Sequence, residues 1–249
     1  MKRSALIISN PGEQGAQNYC EGVKVDVTNY TSFLKSALGG TWYDYEIVHL
    51  GRPSKSQAIT AIEKLSSNDY TLIVFCGHGY YSSRQESTIL ELRKNEEIDS
   101  LDLRKGAKKR TIILDCCRKV EKDIITEARM AAKFMEAHAE LNPSECRKYF
   151  EKKLEECSTG IIVGYACSKN ETAGDSESSG GYYSYSLLRC VTDWREKKNI
   201  DLSKSWASFS AVEAHNGSTA IVSRLSGGTQ NPEIEKPRSE PYFPIGIMA

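Results

Sequence analysis

The sequence of 249 residues has no C-x-x-C pair, although it contains eight cysteines. Cys116 and Cys117 are adjacent, a poor arrangement for chelation, and no second ligand pair accompanies them. A structural zinc site is therefore not expected. Several cysteines lie within apolar runs, as buried reduced thiols do. The reading is free thiols in a reducing compartment, with an even count leaving a disulfide framework open. Excess charge is also missing, with 33 basic and 33 acidic side chains. That balance argues against a nucleic-acid or membrane binder driven by bulk electrostatics. The most basic run, Arg104 to Arg110, precedes a strand-like segment and reads as a solvated turn. No apolar stretch is long enough to cross a bilayer. Ser9-Asn10-Pro11-Gly12 stops the apolar run after Met1-Lys2-Arg3-Ser4 too early for an export signal. A cytoplasmic location is the expectation.

What is present is a succession of short apolar runs at Ala5–Ser9, Tyr45–Leu50, Thr71–Cys76, Thr111–Leu114 and Ile161–Ala166. All but the second are nearly continuous, as in strands covered on both faces. Helical spacing separates them, with Val23, Val27, Tyr30, Leu34 and Leu38 forming one stripe and Ile59, Ile62 and Leu65 another. The alternation predicts a single α/β domain around a mainly parallel sheet of about six strands, with helices on both faces. Residues 119–156 are rich in charge and alanine, with a helical pattern through Ile124, Ala128, Met135 and Ala139, divided by Pro143. A Ser/Gly-rich loop from Asp175 to Gly181 reads as mobile. Tyr182–Trp194 and Ser205–Ala214 read as helices. The proline-rich tail from Gly227 to Pro244 reads as extended segments and turns.

In parallel sheets, functional groups gather at the carboxyl ends of strands. Three such ends read Cys76-Gly77-His78-Gly79, Asp115-Cys116-Cys117-Arg118 and Ala166-Cys167-Ser168 leading to Asp175. A cysteine nucleophile needs a base, because a free thiol is mostly protonated at neutral pH. Histidine is scarce here, at four positions: His49, His78, His138 and His215. Only His78 lies between glycines directly after a buried-looking strand, where the backbone can approach a ligand closely. The segment lacks the third glycine and the lysine of a phosphate loop. A histidine and a cysteine on neighbouring strand ends, 39 residues apart in sequence, suit a catalytic dyad.

These residues resemble the caspase-like cysteine peptidases, and most closely their paracaspase and metacaspase branches. Gly77-His78-Gly79 matches the histidine turn, and Asp115-Cys116-Cys117-Arg118 matches the Asp-x-Cys-Arg form around the nucleophile. The first strand and turn, Gly22 to Asp26, Gly164 to Asp175, Gly181 to Tyr185, and Gln230-Asn231-Pro232 resemble further landmarks in the same order. The pattern of the aspartate-cutting caspases is Gln-Ala-Cys, then Arg, Gln or Gly, then Gly, with histidine about 50 residues upstream. This chain departs from it: Asp replaces Gln, no Gly trails, and the gap is shorter.

The resemblance implies one domain over residues 1–249, divided into 1–118, a helical linker or insertion at 119–157, and 158–249. It implies Cys117 as nucleophile, His78 as base, and the backbone N–H groups of Gly79 and Cys117 as the oxyanion hole. Cys116 becomes a neighbour pointing the other way. Asp115 and Asp175 would select Arg or Lys before the scissile bond, with Glu171 or Glu177 as alternatives should the alignment slip. Arg129, Arg147 and Lys152-Lys153 are candidates for self-processing. No cofactor or metal is implied, and calcium dependence finds no acidic loop. The expected partners are protein or peptide substrates, with the chain a monomer or homodimer. A catalytically vestigial scaffold of the same fold is the alternative function, and a redox or metal-binding α/β protein is a third.

Overall fold

The computed structural model of the chain describes residues 1–119, 141–198 and 200–249. The first half contains β1 (Arg3–Asn10), α1 (Gly22–Lys35), β2 (Ile47–Gly51), α2 (Lys55–Lys64) and β3 (Tyr70–Gly77). A small antiparallel meander of β4 (Gly79–Ser82), β5 (Ser87–Arg93) and β6 (Glu96–Asp99) follows, and then β7 (Lys109–Asp115). The second half contains α3 (Pro143–Glu156), β8 (Gly160–Tyr165), β9 (Asp175–Ser176), β10 (Gly180–Gly181) and α4 (Tyr182–Lys197). It ends with β11 (Ala207–Ser210), α5 (Ala211–Leu225), β12 (Glu233–Glu235) and β13 (Pro244–Met248).

The central sheet has six strands in the order β12-β8-β7-β3-β1-β2, parallel except for β12. Its continuous apolar strands follow from cover on both sides. Alternate residues such as Ala5, Ile7, Leu72 and Val74 pack against α1, α3, α4 and α5. Their neighbours Leu6, Ile8, Ile73 and Phe75 face α2 and the meander. Strand alternation thus feeds two cores from one sheet.

Several elements differ from the sequence reading. The meander has no counterpart in it, because its strands are short, and its core residues Ile89-Leu90, Leu92 and Ile98 are separated by polar residues and turns. Ser205–Ala214 is not one helix: β11 pairs with β13, and α5 starts only after Ser210, which forms a capping box with Glu213. The Ser/Gly-rich loop folds into the β9–β10 hairpin, in which Ser176, Ser179, Gly180 and Gly181 are buried. The helical pattern assigned to Ile124–Ala139 and the candidate cut at Arg129 fall outside the described residues. Arg147 and Lys152-Lys153 lie inside α3, and Arg147 forms 2.8 Å bonds to both carboxylate oxygens of Glu46. Both candidate sites are therefore helical, not extended.

Phe150 anchors α3 to the sheet. It is buried, and its ring centroid lies 6.0 Å from Trp42 and 6.5 Å from Tyr70. Phe150→Ala is expected to cost about 3–5 kcal/mol. Urea denaturation followed by far-UV circular dichroism would show this as a lower midpoint, and an unchanged midpoint would remove α3 from the core.

Candidate active site

The parallel register between β3 and β7 places Cys76 opposite Asp115. His78 and Cys117 therefore each lie two residues beyond a matched pair of strand ends. Gly77 makes the turn, with φ at +146° and a Cβ position only 2.3 Å from the carbonyl oxygen of Asn10. No side chain fits there. His78 continues with its carbonyl accepting the N–H of Glu91 at 3.0 Å, which ties the histidine to the meander. Its Nε2 lies against Gly12, where a Cβ would stand 2.9 Å away.

The two adjacent cysteines have different surroundings. Cys116 is buried, and its Sγ packs under Gly79, 2.9 Å from where a Cβ would be. Cys117 is partly exposed, and its Sγ accepts the N–H of Ala173 at 3.3 Å. Burial pushes the Cys117 thiol up, and the negative charges of Asp115, Asp175 and Glu91 push in the same direction. Its backbone N–H has no acceptor among the described residues, as an oxyanion donor requires. No hydrogen bond joins Cys117 to His78 among the described residues. The imidazole instead contacts Cys20, whose Sγ is 3.7 Å from Nε2 and 3.9 Å from Nδ1.

Three carboxylates gather around the β9–β10 hairpin and the start of α4. Asp175 accepts the N–H of Gly22 at 2.9 Å. Asp115 accepts the N–H of Ser184 at 2.8 Å, and Asp26 accepts that of Gly181 at 2.9 and 3.0 Å. Gly181 and Ser184 belong to the N-terminal turn of α4, where free N–H groups and the helix dipole favour anions. Gly181 must be glycine, because a Cβ there would be 2.3 Å from Asp115 Oδ2. Burial raises all three carboxyls, Asp115 to about 6, and the charge of Asp115 raises Asp26 further. The Gly22 bond and His78 partly offset the rise at Asp175.

Asp26 is a site residue that the sequence reading does not single out. The signal is there: it falls three residues after Val23 and four before Tyr30, on the buried stripe of α1. The alternatives to Asp175 have other places. Glu171 binds the backbone and side-chain nitrogens of Asn231, both at 2.7 Å, and Glu177 is exposed. Gln230 bridges the same loop to β8 by accepting from Gly174 and donating to Ala166, each at 2.9 Å.

Arg118 braces the loop that follows β7. Its buried guanidinium donates to Thr88 and to the Cys167 carbonyl at 3.1 Å each, reaches Glu233 at 2.5 Å, and lies 4.2 Å from the ring of Tyr165. Backbone bonds between Arg118 and both Glu171 and Asn170 complete the clamp. Among the described residues, no group of three or more His, Cys, Asp or Glu side chains is arranged to hold a metal ion, and no helix is long and apolar enough to cross a membrane.

A family model described as the caspase domain matches residues 2–243. Among solved structures, the chain is similar to caspase-1 from Spodoptera frugiperda, with a TM-score of 0.57. That match has 10% sequence identity and covers 94% of this chain and 86% of the other, so it speaks to the fold alone. No curated protein matches the sequence.

The different burial of the two cysteines gives a direct test. Brief alkylation of the native protein with iodoacetamide, followed by peptide mapping, is expected to modify Cys117 and leave Cys116 unmodified. Cys116→Ala should preserve the labelling and Cys117→Ala should remove it; modification of Cys116 at an equal rate would refute the assignment.

Proposed function

The chain belongs to the caspase-domain family of cysteine peptidases, and from that premise we propose that it cuts peptide bonds after Arg or Lys through Cys117 and His78. The observation that carries the specificity is the convergence of Asp26, Asp115 and Asp175 at the β9–β10 hairpin, with Asp115 and Asp175 both acting on the Cys117 thiol. Three carboxyls in a water-poor setting disfavour one another's ionised form, and among the described residues none of them has an Arg or Lys ion-pair partner. A guanidinium or ammonium entering beside them relieves that repulsion and makes charge-assisted hydrogen bonds.

The reaction follows from the same groups. The Cys117 thiol passes its proton to His78, and the sulfur attacks the carbonyl carbon. The N–H groups of Cys117 and Gly79 take up the charge developing on oxygen. His78 then returns a proton to the leaving amine, and water, deprotonated by His78, hydrolyses the thioester. Substrate charge assists the first step. The acids that hold the Cys117 thiol up are the ones a bound Arg or Lys neutralises, so an occupied pocket favours thiolate.

The scaffold alternative draws on one observation, the absence of a Cys117–His78 hydrogen bond at rest. Catalytic contacts of this kind often tighten only with substrate bound. Self-processing is proposed to use sites other than the helical Arg147 and Lys152-Lys153.

Incubation of the reduced chain with a peptide library is the decisive experiment. Cleavage after Arg and Lys is expected, falling by about three orders of magnitude or more in Cys117→Ala. Retained cellular function in Cys117→Ala would favour the scaffold. Asp175→Asn should reduce kcat/KM for Arg substrates by about 100-fold while alkylation of Cys117 persists. Equal loss of both would make Asp175 structural.

The pocket also predicts a pH dependence. Asp115 is protonated below about 6 and ionised above it, so kcat/KM for Arg substrates should rise with pH through that region. Folding stability should respond in the opposite sense. A carboxyl raised by folding binds its proton more tightly in the native state, so its contribution is favourable at low pH and declines as pH rises to about 6. Kinetics with Arg substrates and urea melts across that range would check both slopes, and Asp115→Asn should flatten them.

A further inference from the structure

Of the eight cysteines, six are buried, and only Cys20 and Cys117 are partly exposed. Cys20 lies at His78, and a charge on Cys117 is felt at the Cys20 thiol. Cys20 reaches the imidazole from the loop between β1 and α1, where its N–H bonds to the Pro11 carbonyl at 2.8 Å and its carbonyl accepts from Val23 at 3.3 Å. Its position is therefore set by the backbone. Two residues later, Gly22 binds Asp175, and two residues before Asp175, Ala173 binds the Cys117 sulfur. This short circuit of contacts links Cys20, Asp175 and Cys117 at one end of the sheet. We propose that Cys20 and Cys117 form a reversible disulfide when the protein meets hydrogen peroxide, a modification that blocks the nucleophile and protects it from further oxidation.

The chemistry balances with peroxide as the only added reactant. One thiol transfers its proton to His78, and the resulting thiolate attacks a peroxide oxygen. The O–O bond breaks, and a sulfenic acid and water form. The second sulfur then displaces the sulfenic oxygen as water: an S–S bond forms, an S–O bond breaks, and the remaining thiol proton leaves with that oxygen. Two thiols are oxidised and one peroxide is reduced to two waters. A dithiol reductant reverses the bridge.

Burial and neighbouring acids push both thiols up, so neither ionises readily by itself. Oxidation is then directed to sulfurs that can use the imidazole as base, and the six buried cysteines are excluded. Without Cys20, a sulfenic acid on Cys117 has no resolving thiol and proceeds to the irreversible sulfinic acid. The bridge rests on the contacts that link the two loops and on the partial exposure of both thiols, whereas its effect on activity rests on the proposed function.

The full chain, wild type and Cys20→Ser, would be treated with graded hydrogen peroxide, mapped without reduction, and then treated with dithiothreitol. The wild type should lose about 2 Da and yield a linked Cys20–Cys117 peptide. Peptidase activity should disappear with peroxide and return with dithiothreitol. In Cys20→Ser the recovered fraction should fall about tenfold, with sulfinic acid on Cys117. The proposal is overturned if the wild type gains no Cys20–Cys117 link, if another pair links instead, or if Cys20→Ser recovers as fully as wild type. Should Cys20→Ser fail to fold, Cys20→Ala takes its place, and the wild-type map decides by itself. A chain that forms the bridge but cuts no peptide would retain the redox pair and refute the peptidase reading alone.

Discussion

The register of β3 against β7 is the constraint on which the site depends. Seven consecutive residues pair in parallel, from Tyr70 opposite Lys109 to Cys76 opposite Asp115. A slip of one residue would turn every side chain of one strand to the other face. It would drive Ile112 and Leu114 out of one core and Ile113 out of the other. Both cores therefore resist any change that would separate the Gly-His-Gly turn from the Cys117 loop. Hydrophobic packing, which carries no chemistry, fixes the position of the groups that do.

The opposite cost is concentrated at the hairpin. Asp26 and Asp115 are almost wholly removed from water, and like charges share a small volume. Such an arrangement is unfavourable unless the charge is met by donors or by protons. The first turn of α4 supplies donors from Gly181 and Ser184, and raised affinity for protons supplies the rest. The same imbalance reaches Cys117, since Asp115 and Asp175 both push its thiol up.

Much of the architecture is legible in local pattern. The apolar runs at Ala5–Ser9, Thr71–Cys76, Thr111–Leu114 and Ile161–Ala166 all lie on central strands, because doubly covered strands need unbroken apolar sequence. The meander and β11 escape notice for the converse reason: partly exposed strands such as β4 and β11 pair within a small sheet and carry no such run. The β9–β10 hairpin reads as mobile in sequence because serine and glycine usually mark solvent. Here the absence of bulky side chains lets Gly180 and Gly181 pack against the carboxylates of Asp26 and Asp115.

The sequence by itself determined the strand ends and the residue types placed on them: a histidine between glycines, a cysteine following Asp-x, and an acid in the loop after β8. These are local facts, written in adjacent residues and short periodicities. Only the tertiary structure decided which groups meet. Asp26 and Gly181 are 155 residues apart and share a hydrogen bond, and Cys20 and His78 are 58 apart and in contact. Neither meeting leaves a mark in local pattern, because each results from a loop or helix packing onto a distant strand end. Chain order selects the candidates for chemistry, and packing across the sheet selects their partners.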